Sequence, residues 1–150
     1  MRWLKSLILL IVVVLVGIQF IPIKHNVSKN IPSTDFIHMF KLTDMISDQL
    51  KTSCYNCHSN NTYYSWYSNI QPIGFYLQGH INEGKKNLNF SEFGNYSDRR
   101  QKNKLTLMIN QINEDKMPLP VYTLIHRDAK LSGEDKRVIT EFFEMLKDSL

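Results

Sequence analysis

Cysteine is nearly absent from this 150-residue chain: there are two, Cys54 and Cys57, and both fall within one five-residue run. No second C-x-x-C follows, so a zinc ribbon lacks its usual set of about four ligands. Strand-like alternation is also scarce, which leaves a thioredoxin-like dithiol without its βαβ setting. A structural disulfide between cysteines this close would remove little chain entropy. Charge of one sign is lacking too. Lys and Arg number 18 against 14 Asp and Glu, and the excess shrinks to 16 against 14 once Arg2 and Lys5 are set aside. Such a balance gives no reason to expect nucleic acid as a partner. Internal repeats and low-complexity runs are missing as well.

What is present is Cys54-Tyr55-Asn56-Cys57-His58. C-x-x-C-H is the attachment signature of a c-type haem. Two thiols at this spacing reach the two vinyl groups of one porphyrin, and the adjoining imidazole rises to the iron as proximal ligand. Cys54, Cys57 and His58 are therefore the expected cofactor-binding residues. One covalent haem is the expected cofactor.

The N-terminus gives an address consistent with that chemistry. Arg2 and Lys5 precede an apolar run from Leu7 to Ile23, interrupted by little besides Gln19 and Pro22. Its length approaches the roughly 20 residues that cross a bilayer. No small-x-small cleavage pattern follows, and no cysteine stands near its end to take a lipid. An uncleaved signal anchor over residues 1–23 is the favoured expectation, with a removed signal peptide as its rival. The leading positive charges place the N-terminus in the cytoplasm, although Lys24 and Lys29 oppose that bias. The remainder then lies outside the cytoplasm, where bacteria attach c-type haem. Residues 24–35 form a polar tether, and residues 36–150 are long enough for one domain.

That domain is expected to be all-α. Thr43 caps a helix through Ile46 and Leu50 that delivers the cysteine motif. Asn60–Asn69 forms a loop rich in rings. Pro72 opens a helix carrying Ile73, Leu77, His80 and Ile81 on one side, with Gly84 as its end. Residues 87–97 form a connection. A third helix follows Ser97 or Asp98 and buries Leu105, Met108, Ile109 and Ile112. Its basic early turns conflict with the helix dipole, so either the helix begins later or the basic face meets solvent or an acidic partner. Ser132 with Asp135 reads as a capping box for a last helix that buries Val138, Ile139, Phe142, Phe143 and Leu146.

A sixth iron ligand, or a vacancy in its place, separates electron transfer from ligand chemistry. Met117 leads, because it sits between Lys116 and Pro118 in a proline-stiffened stretch rather than on an apolar helical stripe. The competing account is a methionine filling an irregular gap. His80 is the rival ligand, with a hydrogen-bonded core role or a propionate contact as its plainer readings. His126 suits a surface or propionate role, with Asp128 and solvent as partners. Tyr63, Tyr64, Trp66, Tyr67, Phe75 and Tyr76 follow the motif closely, and such rings can border a porphyrin; Trp66 and Tyr67 are the ones taken as candidate cofactor contacts.

Three stretches together resemble a known family. They are Cys54 to Thr62 with Trp66-Tyr67-Ser68 and Gln71-Pro72; His80 with Glu83-Gly84-Lys85 and Leu88-Asn89-Phe90-Ser91; and Met117-Pro118-Leu119 with Tyr122-Thr123, His126 and Ala129 to Ser132. Over residues 36–147 they are similar to the bacterial haem-binding domain family of small membrane-anchored c-type haem proteins. The layout is also similar to class I cytochromes c. The resemblance implies a helical domain wrapped around one covalent haem, held by Cys54 and Cys57 with His58 on the iron, in the periplasm. The expected function is electron transfer with an unidentified redox protein, without enzymatic turnover. A five-coordinate gas sensor or peroxidase, or a haem-bearing module docking through the Arg99–Lys104 face, are the alternatives.

Overall fold

The computed structural model describes residues 2–28 and 30–150; Met1 of the expected anchor and Lys29 of the expected tether lie outside the described residues. The described residues form helices joined by loops, with one isolated antiparallel bridge, Val27 to Asn61, and no strand. The expected all-α class holds.

Helix α1 spans Arg2–Gly17 and runs into a 3₁₀ turn, Ile18–Phe20. None of its residues is buried, and the stretch Arg2–Phe20 is long and apolar enough to cross a membrane. The following residues do not hang free as a tether. Asn26 donates to Ser59 O (2.8 Å) and Thr62 Oγ1 (2.9 Å), and accepts from Lys85 Nζ (2.6 Å). Asp35, buried, caps the short helix α2 (Phe36–Met39) through Ile37 N–H. Polar residues suit such a segment because each finds a hydrogen-bond partner on the domain.

The core forms around Phe36. Its ring meets Phe40, Phe90, Phe93 and Phe143 edge-on at centroid distances of 4.9, 5.4, 4.9 and 5.9 Å, the arrangement that ring quadrupoles favour. Two of these partners come from the expected connection, which folds as a 3₁₀ helix, Phe90–Asn95, capped by Asn89. In a three-residue turn i and i+3 eclipse, so Phe90 and Phe93 enter the core together. Helix α3 (Asp44–Leu50) has Thr43 as its N-cap, accepting from Ile46 N–H. Helix α6 (Asp98–Asn113) buries Leu105, Ile109 and Ile112 and packs on α8 (Gly133–Ser149). Helix α8 starts with the reciprocal Ser132–Asp135 capping box and buries Ile139, Phe143 and Leu146.

Helix α6 begins at Asp98 in spite of its basic first turns. Arg100 lies over the Tyr96 ring at 4.2 Å, a cation–π contact that offsets the unfavourable dipole. Its other end closes in a Schellman motif: Lys116 N–H donates to Gln111 O (2.9 Å) and Asp115 N–H to Ile112 O (3.2 Å). Asp115 takes the left-handed conformation there (φ 57°), which aspartate tolerates better than most residues. The next residue but one is Met117, whose N–H also donates to Gln111 O (3.1 Å). A short helix α7 (Pro120–Ile125) follows, with Pro120 at its first position.

Helix α5 spans Ile73–Asn87 and passes straight through Gly84, which was expected to end it. The glycine serves a different need. A Cβ there would stand 2.7 Å from the Cys57 carbonyl oxygen, so its bare backbone lets α5 lie against the cysteine motif. Gly79 on the same helix has nothing within 4 Å of its Cβ position. The inner face of α5 is also narrower than the pattern suggested: Ile81 is buried, but Ile73 is largely exposed. Gly84→Ala is therefore expected to lower stability by about 1–3 kcal/mol through overpacking, whereas Gly79→Ala gains up to about 1 kcal/mol in helix propensity. Paired urea denaturation curves check both signs; equal shifts would remove the close-approach explanation.

Candidate functional site

The cysteine motif sits where α3 changes pitch. Residues Lys51–Tyr55 form a π-helical turn, followed by the single turn α4, Asn56–His58. Such wide turns add a residue per cycle and are frequent at functional sites. Ser53, buried in this turn, donates to Ala129 O (2.9 Å) and accepts from Gln49 (3.2 Å). This fixes the turn to the segment Arg127–Ala129.

Both residues between the cysteines act as clamps. Tyr55 stacks on Phe90 (4.9 Å, 8°) and donates to Asp35 Oδ1 (2.8 Å). Burial, followed by that bond to Asp35, pushes the Tyr55 hydroxyl well above its ordinary pKa, so it remains a donor. Asn56 Nδ2 donates to Tyr122 Oη (2.7 Å), its Oδ1 accepts from Tyr63 N–H (3.0 Å), and its carbonyl accepts from Thr62 Oγ1 (2.7 Å).

His58 donates from Nδ1 to the Leu88 carbonyl (3.1 Å). That bond sets the tautomer and leaves the Nε2 lone pair free to ligate. Burial lowers the imidazole pKa, opposed by the Leu88 and Gly84 carbonyls, so the neutral ring that ligation needs is favoured. The two thiols are not joined to each other. Burial pushes Cys54 up to about 12, with Cys57 adding a smaller repulsion, and burial raises Cys57 as well.

Cys54, Cys57 and His58 open on a cavity of about 510 Å³, within the roughly 300–1,000 Å³ of small-molecule and cofactor pockets. Met117 and His80 line the same cavity. His80 donates from Nδ1 to Tyr76 O (3.0 Å), again leaving Nε2 available. The walls are mostly apolar, formed by Leu88, Phe90, Leu107, Met108, Ile112 and Phe143. Trp66 and Tyr67 do not line it. Tyr67 stands one layer back, its hydroxyl paired with His126 Nε2, and His126 stacks on the cavity residue Tyr122 at 4.4 Å. His126 thus pairs with Tyr67 rather than Asp128. Trp66 is exposed.

Several lining residues were not singled out in advance. Met108 counted only as core, and Lys104 only as part of a basic face; Lys104 lines the cavity instead, one turn from Met108 on α6. Tyr122, Glu83 and Gln111 join them. Their helical spacing was available as a signal, but nothing in it tells an apolar stripe that faces a core from one that faces a cofactor.

Fold and site together define an all-helical protein with a largely apolar pocket that has a thiol pair and an imidazole at its wall. Residues 13–145 match the family model described as a haem-binding domain, and the chain belongs to that family. Comparison with curated proteins and with solved structures finds no match. The residues present fit a haem: an apolar cavity of suitable size, an imidazole with a free nitrogen, and Lys104 and Gln111 as polar partners for the porphyrin's carboxylates.

A thiol raised as far as Cys54 is protonated at neutral pH and reacts slowly, since the thiolate is the nucleophile. In the haem-free chain, alkylation of Cys54 at pH 8 is expected to run on the order of 100-fold or more below that of an unhindered thiol. The rate should climb with pH toward 12 and become ordinary in denaturant. A pH profile by mass spectrometry measures it, and a fast, pH-flat reaction at pH 8 contradicts the burial.

Proposed function

We propose that the chain is a membrane-anchored monohaem c-type cytochrome that transfers electrons outside the cytoplasm. The observation carrying this is the convergence of Cys54, Cys57, His58 and Met117 on one cavity. Cys54 and Cys57 would hold the porphyrin through thioether links to its vinyl groups. Neither thiol is tied up in a disulfide, so both are available to the porphyrin. His58 would ligate the iron through Nε2, and its bond to Leu88 keeps the ring from turning and makes Nε2 more basic. Met117, held by the closed end of α6, would supply the second iron ligand. Lys104 and Gln111 neutralise or solvate a porphyrin carboxylate.

When bound, the haem supplies a one-electron iron couple, and His/Met ligation sets it at a high potential. The chain's own contribution is to hold ligands still and exclude water, so that little rearranges when the charge changes. No substrate bond is made or broken, so the protein is not an enzyme in this role. Helix α1 is the anchor: Arg2 and Lys5 hold its start in the cytoplasm and place the haem domain in the bacterial periplasm. The electron donor or acceptor is a separate protein.

A second reading draws on His80 and Glu83, which face the same cavity. With Met117 off the iron, these groups supply acid–base chemistry beside an open position, as a peroxidase or gas sensor requires.

Absorption and magnetic circular dichroism of the purified full chain separate the two. The expected wild type is low-spin, with c-type reduced bands and no response to carbon monoxide. Met117→Ala loses the near-infrared methionine–iron band and gains carbon monoxide binding, while His80→Ala keeps the wild-type spectrum. A high-spin ferric wild type that binds carbon monoxide would falsify the electron-carrier assignment. Mass analysis should show one haem added to the polypeptide, and none in Cys54→Ala/Cys57→Ala.

A further inference from the structure

The anchor does not leave the domain on a loose leash. Gln19, at its outer end, makes a two-way pair with the domain backbone: its Nε2 donates to Gln71 O (2.9 Å), and its Oε1 accepts from Gln71 N–H (3.0 Å). Four residues on, Ile23 packs where Gly74 has no side chain; a Cβ on Gly74 would collide with Ile23 and with the Ser68 carbonyl. Gln71 and Gly74 therefore ride directly on the end of α1.

This fixes the height of the domain. The apolar stretch Arg2–Phe20 measures about 28 Å at 1.5 Å per residue, close to the hydrocarbon thickness of a bilayer. Gln19 then lies at the boundary between hydrocarbon and headgroups, and Gln71 lies within a hydrogen bond of it. Around Gln71 the surface is apolar and aromatic. Trp66 is 78 % exposed, Tyr76 58 %, Ile73 46 % and Ile70 42 %. Exposed rings and branched aliphatics gathered beside one buried amide clamp are costly in water. At headgroup level the same side chains are favoured, because Trp and Tyr place an apolar ring in lipid and a polar atom at the surface.

We propose that this face, formed by Trp66–Asn69 and the first turns of α5, lies on the outer surface of the bilayer that α1 crosses, resting on α1 as the span assigned above. Its partner is the phospholipid interface itself. The domain is thereby seated on the membrane in one orientation. His80 on the cavity wall stands about 10 Å along α5 from Ile73, so the cofactor site is held close to the lipid.

The chain has two tryptophans, Trp3 in α1 and Trp66 in the face, and two single-tryptophan variants read them separately. Full-length haem-loaded Trp3→Phe and Trp66→Phe are placed in phosphatidylcholine vesicles carrying lipids brominated near the headgroup end of the acyl chain. The expected result is that brominated lipid quenches Trp66 about as strongly as Trp3, and that acrylamide in the water reaches Trp66 poorly. If Trp3 is quenched while Trp66 is not, and acrylamide reaches Trp66 freely, the seated face is wrong and the anchor stands. If neither is quenched, the anchor fails and the seated face falls with it. Quenching of Trp66 alone keeps the lipid contact and removes the span.

Discussion

The backbone contact between Gly84 and Cys57 is the constraint on which the site depends. Two thiols and an imidazole can serve one planar group only if the turn that carries them cannot breathe. A glycine at that position lets α5 approach to backbone contact, and one turn later the Leu88 carbonyl comes within reach of His58 Nδ1. One close approach thus sets both the position of the turn and the tautomer of its imidazole. Any side chain at residue 84 would separate the two.

The rest of the domain converges on the same five residues from other directions. Tyr55 is held by Phe90 and Asp35, Asn56 by Tyr122, Thr62 and Tyr63, and the preceding Ser53 by Ala129. These partners come from the cap of α2, the 3₁₀ segment, the ring-rich loop, α7 and the segment after it. Forming the turn therefore requires nearly the whole domain, including the Phe36 cluster that closes the core behind it. The wide π turn is tolerated because these outside bonds replace the hydrogen bonding a regular helix would have given.

Much of this was legible beforehand where chemistry or capping is local. The Thr43 cap and the Ser132–Asp135 box depend on residues within a turn or so of one another and stand as expected; of the α8 stripe Ile139, Phe143 and Leu146 are buried, while Val138 and Phe142 at its edges are only half-buried. Errors fell where one residue type has two uses. Gly84 looked like a helix end, since glycine favours that site, but it marks close packing inside the helix. Phe90 and Phe93 looked like a connection because a 3₁₀ period was not distinguished from no period. Trp66 and Tyr67, near the motif in sequence, stand outside the cavity, while Lys104 and Met108, far from it, form part of the wall.

The amino-acid order by itself determined the reactive groups and the element type: which atoms can bond a porphyrin and an iron, and which segments coil. Those properties belong to side chains and to neighbours three or four positions away. Only the tertiary structure decided which methionines and which histidines share the cavity with the thiols, and how the end of the apolar N-terminal helix is clamped just ahead of α5. Such pairings join residues dozens of positions apart, and they exist only once the core has fixed the helices against one another.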